Sequence, residues 1–410
     1  MLRSFSLPSV SPGPLLLGCA LLLGTTACAP RIQDPGPGLS ASAATEPGLV
    51  IDAPASDETS YATGKVITAD GSELPLRVWL PEPDDKAGED AQIKGAVLAL
   101  HGFNDYANTF VKAGPGLAKR GIAVYAYDQR GFGATDQRGL WPGRDRLVDD
   151  ALLALKAVKA RHPDLPVGLM GVSMGGAVSM AALARAAKSD PEALPNGGAI
   201  LVAPAVWGRE TMPALYRGTL WFSAHTLPWL PVSGGDLGYW PSDDMDMMRA
   251  LSGDPLMIRE TRTDSVWGLT NLMDEALAAS ADLPGQVLLL YGLKDQIIPA
   301  PPVRRAAKRM GLAETNNAET LADKRMAIYP EGWHMLLRDK QAPVVLDDLA
   351  VWLTDKQAPL PSGADSRTEA FLSEALKSAD ERGEKLDPLT PWLEENNLRL
   401  RPKPPPGSED

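Results

Sequence analysis

Val167-Gly168-Leu169-Met170-Gly171-Val172-Ser173-Met174-Gly175-Gly176 runs from a continuous apolar stretch, through a serine between glycines, into a helix of small residues. A serine on a turn between strand and helix is presented for attack. The flanking glycines let the backbone turn sharply and leave room beside a strained residue, so the hydroxyl projects above a sheet edge. By itself the five-residue pattern Gly171 to Gly175 turns up by chance about once in every few chains of this length. The surrounding sequence therefore decides its meaning.

Outward from this turn, short apolar or alternating runs recur at Val66 to Ala69, Leu76 to Leu80, Ala96 to Leu100, Ile122 to Tyr127, Ala199 to Val202, Val287 to Tyr291 and Met326 to Tyr329. With Val167 to Val172 they predict eight strands. The first two alternate or are polar, whereas the central ones are almost continuously apolar, which fits an exposed hairpin leading into a parallel sheet covered on both faces. Helical patterns lie between the later runs, at Asn108 to Lys119, Arg144 to Arg161, Gly175 to Lys188, Pro302 to Met310 and Ala342 to Thr354. The alternation predicts a doubly wound, mostly parallel α/β sheet with helices on both faces.

One stretch breaks that rhythm. Trp207 to Ala279 shows no clear strand but carries Trp207, Trp221, Trp229, Trp240 and Trp267 with several methionines, and reads as a helical insertion after the strand ending at Val202. Its aromatics either build a small core of their own or, placed over the carboxyl ends of the strands, line a substrate pocket.

The chain has 410 residues, 44% of them apolar, and a formal charge of -12. An elaborated α/β domain fits that length, and the acidic balance without a dense Lys/Arg stripe argues against nucleic acid as a partner. Cys19 and Cys28, the two cysteines, both precede the globular part, which leaves it no disulfide framework or cysteine metal site.

Near the N-terminus, Arg3 is followed by the apolar run Leu15 to Leu23 and then Gly24-Thr25-Thr26-Ala27-Cys28. The run is shorter than the roughly 20 residues of a membrane span and reads as a secretory signal. It resembles a bacterial lipoprotein signal, in which small residues precede a cysteine that is lipidated and becomes the mature N-terminus. Leu16-Leu17-Gly18-Cys19 matches the local pattern better but leaves too little apolar sequence upstream, so Cys28 is the expected lipidation site. Ala29 lacks the aspartate associated with inner-membrane retention, and the expectation is an outer-membrane anchor facing the periplasm. An ordinary cleaved signal, giving a secreted or periplasmic protein, is the alternative. Pro30 to Ser60, rich in Pro, Gly, Ala and Ser, reads as a flexible tether.

A serine hydroxyl needs an imidazole to take its proton and a carboxylate to fix the imidazole tautomer. Of the four histidines, His162 lies at a helix end and His225 inside the insertion, while His101 ends a strand. His334, in Gly332-Trp333-His334-Met335, follows the last predicted strand and shares the sheet edge with Ser173. Asp295 immediately follows the strand Val287 to Tyr291. Ser173, Asp295 and His334 thus stand in the order nucleophile, acid, base, each after a separate strand. Asp128, the competing acid, sits in Asp128-Gln129-Arg130-Gly131-Phe132-Gly133, whose composition suggests a charge-stapled structural loop. The backbone N–H groups of Met174 and Phe103 are the expected oxyanion donors.

Together, His101-Gly102-Phe103, the Asp128 to Gly133 loop, Gly171 to Gly176, Gly292 with Asp295, and Glu331-Gly332-Trp333-His334 resemble the α/β-hydrolase superfamily, in particular its monoacylglycerol lipase and lysophospholipase branch. The likeness covers Tyr61 to Leu353. It implies a serine hydrolase that cleaves carboxylic esters of acylglycerol or lysophospholipid type, with a helical cap forming an acyl tunnel and no metal or organic cofactor. Val172 stands where that branch often has His, Ala134-Thr135 replaces its usual Ser, and the loop after Phe103 lacks its usual His. On this reading the chain divides into a signal (1–27), a tether (28–60), a core in two parts (61–205 and 281–356), a cap (206–280) and a charged, Pro-rich tail (357–410). An acyltransferase, thioesterase or amidase on the same triad, and a non-catalytic lipid-binding lipoprotein, are the alternatives. Within the tail, Thr368 to Lys385 reads as a helix that docks on its own domain.

Overall fold

The computed structural model describes residues 29–38, 46–55, 60–82, 93–234, 238–313 and 323–396. The expected signal, Cys28 and the Pro-rich end from Arg401 lie outside the described residues. The chain lays down β1 (Gly48–Ala53), β2 (Ala62–Ile67), β3 (Glu73–Trp79), β4 (Gly95–Leu100), α1 (Ala113–Ala118), β5 (Ile122–Tyr127), α2 (Arg144–Arg161), β6 (Val167–Val172), α3 (Met174–Ser189) and β7 (Ala199–Val202). An insertion follows: α4 (Ala214–Thr226), β8 (Pro231–Val232), α5 (Met245–Gly253), β9 (Thr261–Arg262) and α6 (Thr263–Ala279). The main sheet resumes with β10 (Val287–Gly292), α7 (Ala300–Arg309), β11 (Lys324–Tyr329) and α8 (Ala342–Thr354), and α9 (Thr368–Leu372) and α10 (Leu389–Glu395) close the chain.

The sheet has nine strands in the order β1-β2-β3-β5-β4-β6-β7-β10-β11. From β5 to β11 the neighbours are parallel, and β1, β2 and β3 join antiparallel. The central strands are buried at every position, which is why they read as unbroken apolar runs. One face packs α2, α3 and α6 through Leu155, Ala177, Val178 and Leu272. The other packs α1 and α8 through Leu117, Val345, Leu349 and Trp352.

The tether reading is corrected by the structure. The ninth strand, β1, comes from the segment expected to be flexible, and pairs main chain to main chain with β2, Leu49 opposite Val66 and Val50 opposite Lys65. Residues 29–38 are also held. Gln33 is buried; its N–H donates to Trp141 O at 3.0 Å and its side-chain amide to Leu140 O at 2.9 Å. Arg31 N–H donates to Asp264 Oδ2 at 3.1 Å and Gly36 N–H to Asp70 Oδ2 at 3.0 Å. Backbone groups make most of these bonds, so composition carried no sign of them.

Two helices are shorter than expected. Asn108 to Lys119 is a single-turn 3-10 helix (Ala107–Phe110) followed by α1. A Cβ on Gly114 there would lie 2.3 Å from the Trp79 ring, so the chain forgoes helix propensity for close packing. The tail helix stops at Leu372, and Glu374 takes a left-handed φ of 63°. Beyond it the tail docks on its own domain: Arg304 donates to Phe371 O and Leu376 O and pairs with Glu381. Ala379 N–H donates to Leu293 O at 2.8 Å, and Gln296 donates to Leu386 O at 3.3 Å.

Candidate active site

From β4 the chain passes outward to β5 and returns to place β6 on the other side of β4. The loops leaving β4 and β6 therefore part at the carboxyl edge, the place where open α/β sheets bind ligands. Ser173 follows β6 there. Its φ of 51° and ψ of -114° lie in a region that L-residues with side chains rarely adopt. Three backbone bonds hold the strain: Ser173 N–H to Val202 O at 2.9 Å, and Ala177 N–H and Ala205 N–H to Ser173 O at 3.1 and 2.9 Å. Gly175 lets α3 approach β4, since a Cβ there would meet Leu100 O at 2.2 Å. Met174 opens α3, so its N–H is among the first-turn donors that no helical carbonyl satisfies.

Asp295 and His334 arrive on two loops bonded to each other. Leu293 N–H donates to Tyr329 O and Lys294 N–H to Gly332 O, at 3.0 and 2.9 Å. Gly292 makes that approach feasible, because a Cβ there would lie 2.3 Å from Gly332 O. Asp295 is buried; its Oδ1 accepts from Ile297 N–H and Ile298 N–H at 2.8 and 2.9 Å. Its other oxygen, Oδ2, lies 2.8 Å from His334 Nδ1. With Nδ1 bound to the carboxylate, the proton is held there and Nε2 is left as the basic nitrogen.

Ser173, His334, Gly102 and Phe103 line one small cavity of about 80 Å³, closed by apolar Val172, Met335 and Leu337 and by Met257 from the insertion. The structure thus brings Ser173, His334 and Phe103 to a common space, with Asp295 behind His334.

The cavity has a polar end that sequence reasoning missed. Arg338, itself buried, donates to Asp105 Oδ2 at 2.9 Å and to Thr109 O at 3.0 Å. Thr109 Oγ1 is buried beside them without a hydrogen-bond partner. Asp105 and Arg338 lie 233 residues apart, and no spacing rule links them. Nearby, Asp339 Oδ2 accepts from Trp333 N–H at 2.9 Å and so fixes the residue preceding His334. Burial pushes the Asp339 carboxyl up to about 7.

The remaining histidines are structural. His101 is fully buried: Nε2 accepts from Gln129 N–H and Nδ1 donates to Gly102 O, both at 2.8 Å, and burial lowers its pKa. It welds the Gly102 loop to the loop after β5. His162 meets the Tyr125 hydroxyl at 2.8 Å, and His225 stacks on Trp221 with ring centroids 4.9 Å apart. Asp128 is likewise committed, accepting from Ala107 N–H and Ala134 N–H, both at 2.9 Å. The charge staple of that loop is Arg130, clamped between Asp150 and Asp70 at 2.6 and 2.7 Å.

Residues 91–341 match the family described as serine aminopeptidase, S33. The monoacylglycerol lipase of Mycolicibacterium smegmatis is 24% identical over 269 residues, 64% of this chain and 86% of that protein. The monoglyceride lipase of Homo sapiens is 25% identical over 278 residues, 66% of this chain and 82% of that protein. Among solved structures, a soluble variant of the Saccharomyces cerevisiae monoglyceride lipase superposes with a TM-score of 0.56 at 19% identity, covering 79% of this chain and 99% of that one. That last likeness is one of fold. With the family model spanning more than half of its length, the chain belongs to the serine aminopeptidase S33 family of α/β-hydrolases and is a serine hydrolase.

Proposed function

We propose that the protein hydrolyses carboxylic esters of acylglycerol or lysophospholipid type through an acyl-enzyme on Ser173. The observation that carries this reading is the 2.8 Å contact of His334 Nδ1 with Asp295 Oδ2, at the wall of the cavity that Ser173 enters from its strained turn. Ser173 Oγ attacks the ester carbonyl as His334 Nε2 takes its proton, and the Asp295 carboxylate stabilises the imidazolium. Met174 N–H and Phe103 N–H receive the oxyanion, where loss of one donor costs about 3 kcal/mol. His334 then returns the proton to the leaving alcohol, and water attacks the acyl-enzyme with the same histidine as base.

The polar end of the cavity supports a hydroxylated leaving group. Thr109 Oγ1 supplies an unused donor and acceptor beside the Asp105–Arg338 pair, which suits a glycerol-like alcohol better than an alkyl one. The names of the two lipase relatives support the same substrate class.

Ser173→Ala should fold as the parent does, yet lose both ester turnover and labelling by a fluorophosphonate. Labelling that persists in this variant assigns the nucleophile elsewhere. Turnover of monoacylglycerols, lysophospholipids and graded p-nitrophenyl esters then ranks the substrates, and acyl transfer to added alcohol in preference to water identifies an acyltransferase.

A further inference from the structure

The turn that carries the Phe103 N–H stands between the core and the insertion, and each of them holds one end of it. The turn begins against the nucleophile, since a Cβ on Gly102 would lie 3.4 Å from Ser173 Cβ. On the core side, Gly102 O accepts from His101 Nδ1 at 2.8 Å. The Gly102 carbonyl and the Phe103 N–H belong to one planar peptide, so fixing the oxygen aims the N–H. The Phe103 ring also packs on Phe132 and Trp141, with centroids 5.5 and 6.4 Å away.

The other end is held by the insertion. Asn104 takes a left-handed φ of 63°, which Gly adopts freely and Asn tolerates better than most residues. Its side chain reaches 157 residues along the sequence: Asn104 Nδ2 donates to Thr261 Oγ1 at 2.6 Å. Asn104 O accepts from Ile258 N–H at 3.0 Å. Thr261 is buried on β9, and Met257, next to Ile258, is the part of the insertion that walls the catalytic cavity. The bond that closes the turn on itself, Asp105 N–H to Gly102 O, is long at 3.4 Å. The two bonds to the insertion are shorter, and they fix the turn more firmly than its own closure does.

We propose that Asn104 is a positioning residue for ester hydrolysis: through Thr261 it makes the insertion the second support of the oxyanion donor. The Phe103 N–H is then held by cap and core together. This rests on the reading of Ser173 as nucleophile and Phe103 as oxyanion donor. Such a donor acts on charge that develops only in the transition state. Its misplacement lowers kcat and spares KM, whereas loosening a wall that merely touches the bound ester raises KM.

Initial rates with a p-nitrophenyl ester, and the second-order rate of fluorophosphonate labelling, test this on the full chain. Asn104→Gly keeps the backbone conformation and deletes the bridge. It should lower kcat and the labelling rate alike by about tenfold or more and leave KM within about twofold. It should melt no lower than the parent, because Gly takes this φ freely. Thr261→Val, which deletes the hydroxyl, should show the same loss, and Thr261→Ser, which keeps it, should retain the parent rate. Asn104→Gly/Thr261→Val should be no worse than either change alone, since both remove one bond. Unchanged kcat in Asn104→Gly, an effect confined to KM, or losses that multiply in the double variant overturn the proposal. Failure of the hydrolase reading looks different: the parent then turns over no ester, or Ser173→Ala keeps its activity, and the role of Asn104 falls with it.

Discussion

Ser173 stores backbone strain at the turn where the proposed nucleophile sits. Its left-handed φ costs about 1–3 kcal/mol, and the three bonds to Val202, Ala177 and Ala205 keep the residue there. Ser173→Gly should therefore raise the stability measured by urea unfolding by about 1 kcal/mol while abolishing turnover. An unchanged or lowered midpoint would show that the turn is unstrained. Asp295→Asn leaves the imidazole in the wrong tautomer and should cut kcat by about 10⁴ with little change in KM, read from initial rates. The placement of Ser173, Asp295 and His334 at one sheet edge was legible because each follows its own strand, and parallel strands deliver their ends to one edge. The Asp105–Arg338 pair and Thr109 were not, because their meeting depends on how two loops fold over the edge. No local pattern records that.

Elements were legible where side chains decide them. The continuous apolar runs of β4 to β7 and β10 match the observed strands to within a residue or two. Residues 29–38 and 48–53 escaped because main-chain groups dock them: β1 is a half-exposed edge strand, and the clasp rests on backbone donors and one buried amide. Gln33→Ala should lower stability by about 1–2 kcal/mol in urea unfolding, and loosen proteolytic protection around Arg31. A neutral result would mean that the segment only lies on the surface. Similarly, Gly175→Ala pushes a methyl toward Leu100 O and should destabilise by about 2 kcal/mol or more. The tail helix stopped early because Arg304 draws the carbonyls of Phe371 and Leu376 out of any continuing helix.

For the whole molecule, burial of Asp339 ties stability to pH. Its folded pKa is about 7 against an ordinary value of 3.8, so between these values the folded state keeps a proton that the unfolded chain has released. Stability then falls as pH rises from about 4 to about 7 and flattens above, by up to ~1.4 kcal/mol per unit of pH. Asp339→Asn should flatten that slope in thermal melts across the range, leaving the share of Asp150, whose carboxyl burial pushes up to about 6. Its constant cost, from one backbone donor left facing an amide, shifts the level alone. A slope unchanged by Asp339→Asn would place the titration elsewhere.

The tail has a consequence in time. Ala379 and Leu386 are bonded to Leu293 and Gln296, which bracket Asp295 in sequence. A ribosome that has released residues 1–356 has already delivered Ser173, Asp295 and His334, but not the strap that seats the acid's loop. The segment that seats the acid's loop is thus among the last parts of the fold to be synthesised, well after the strands that carry the three side chains.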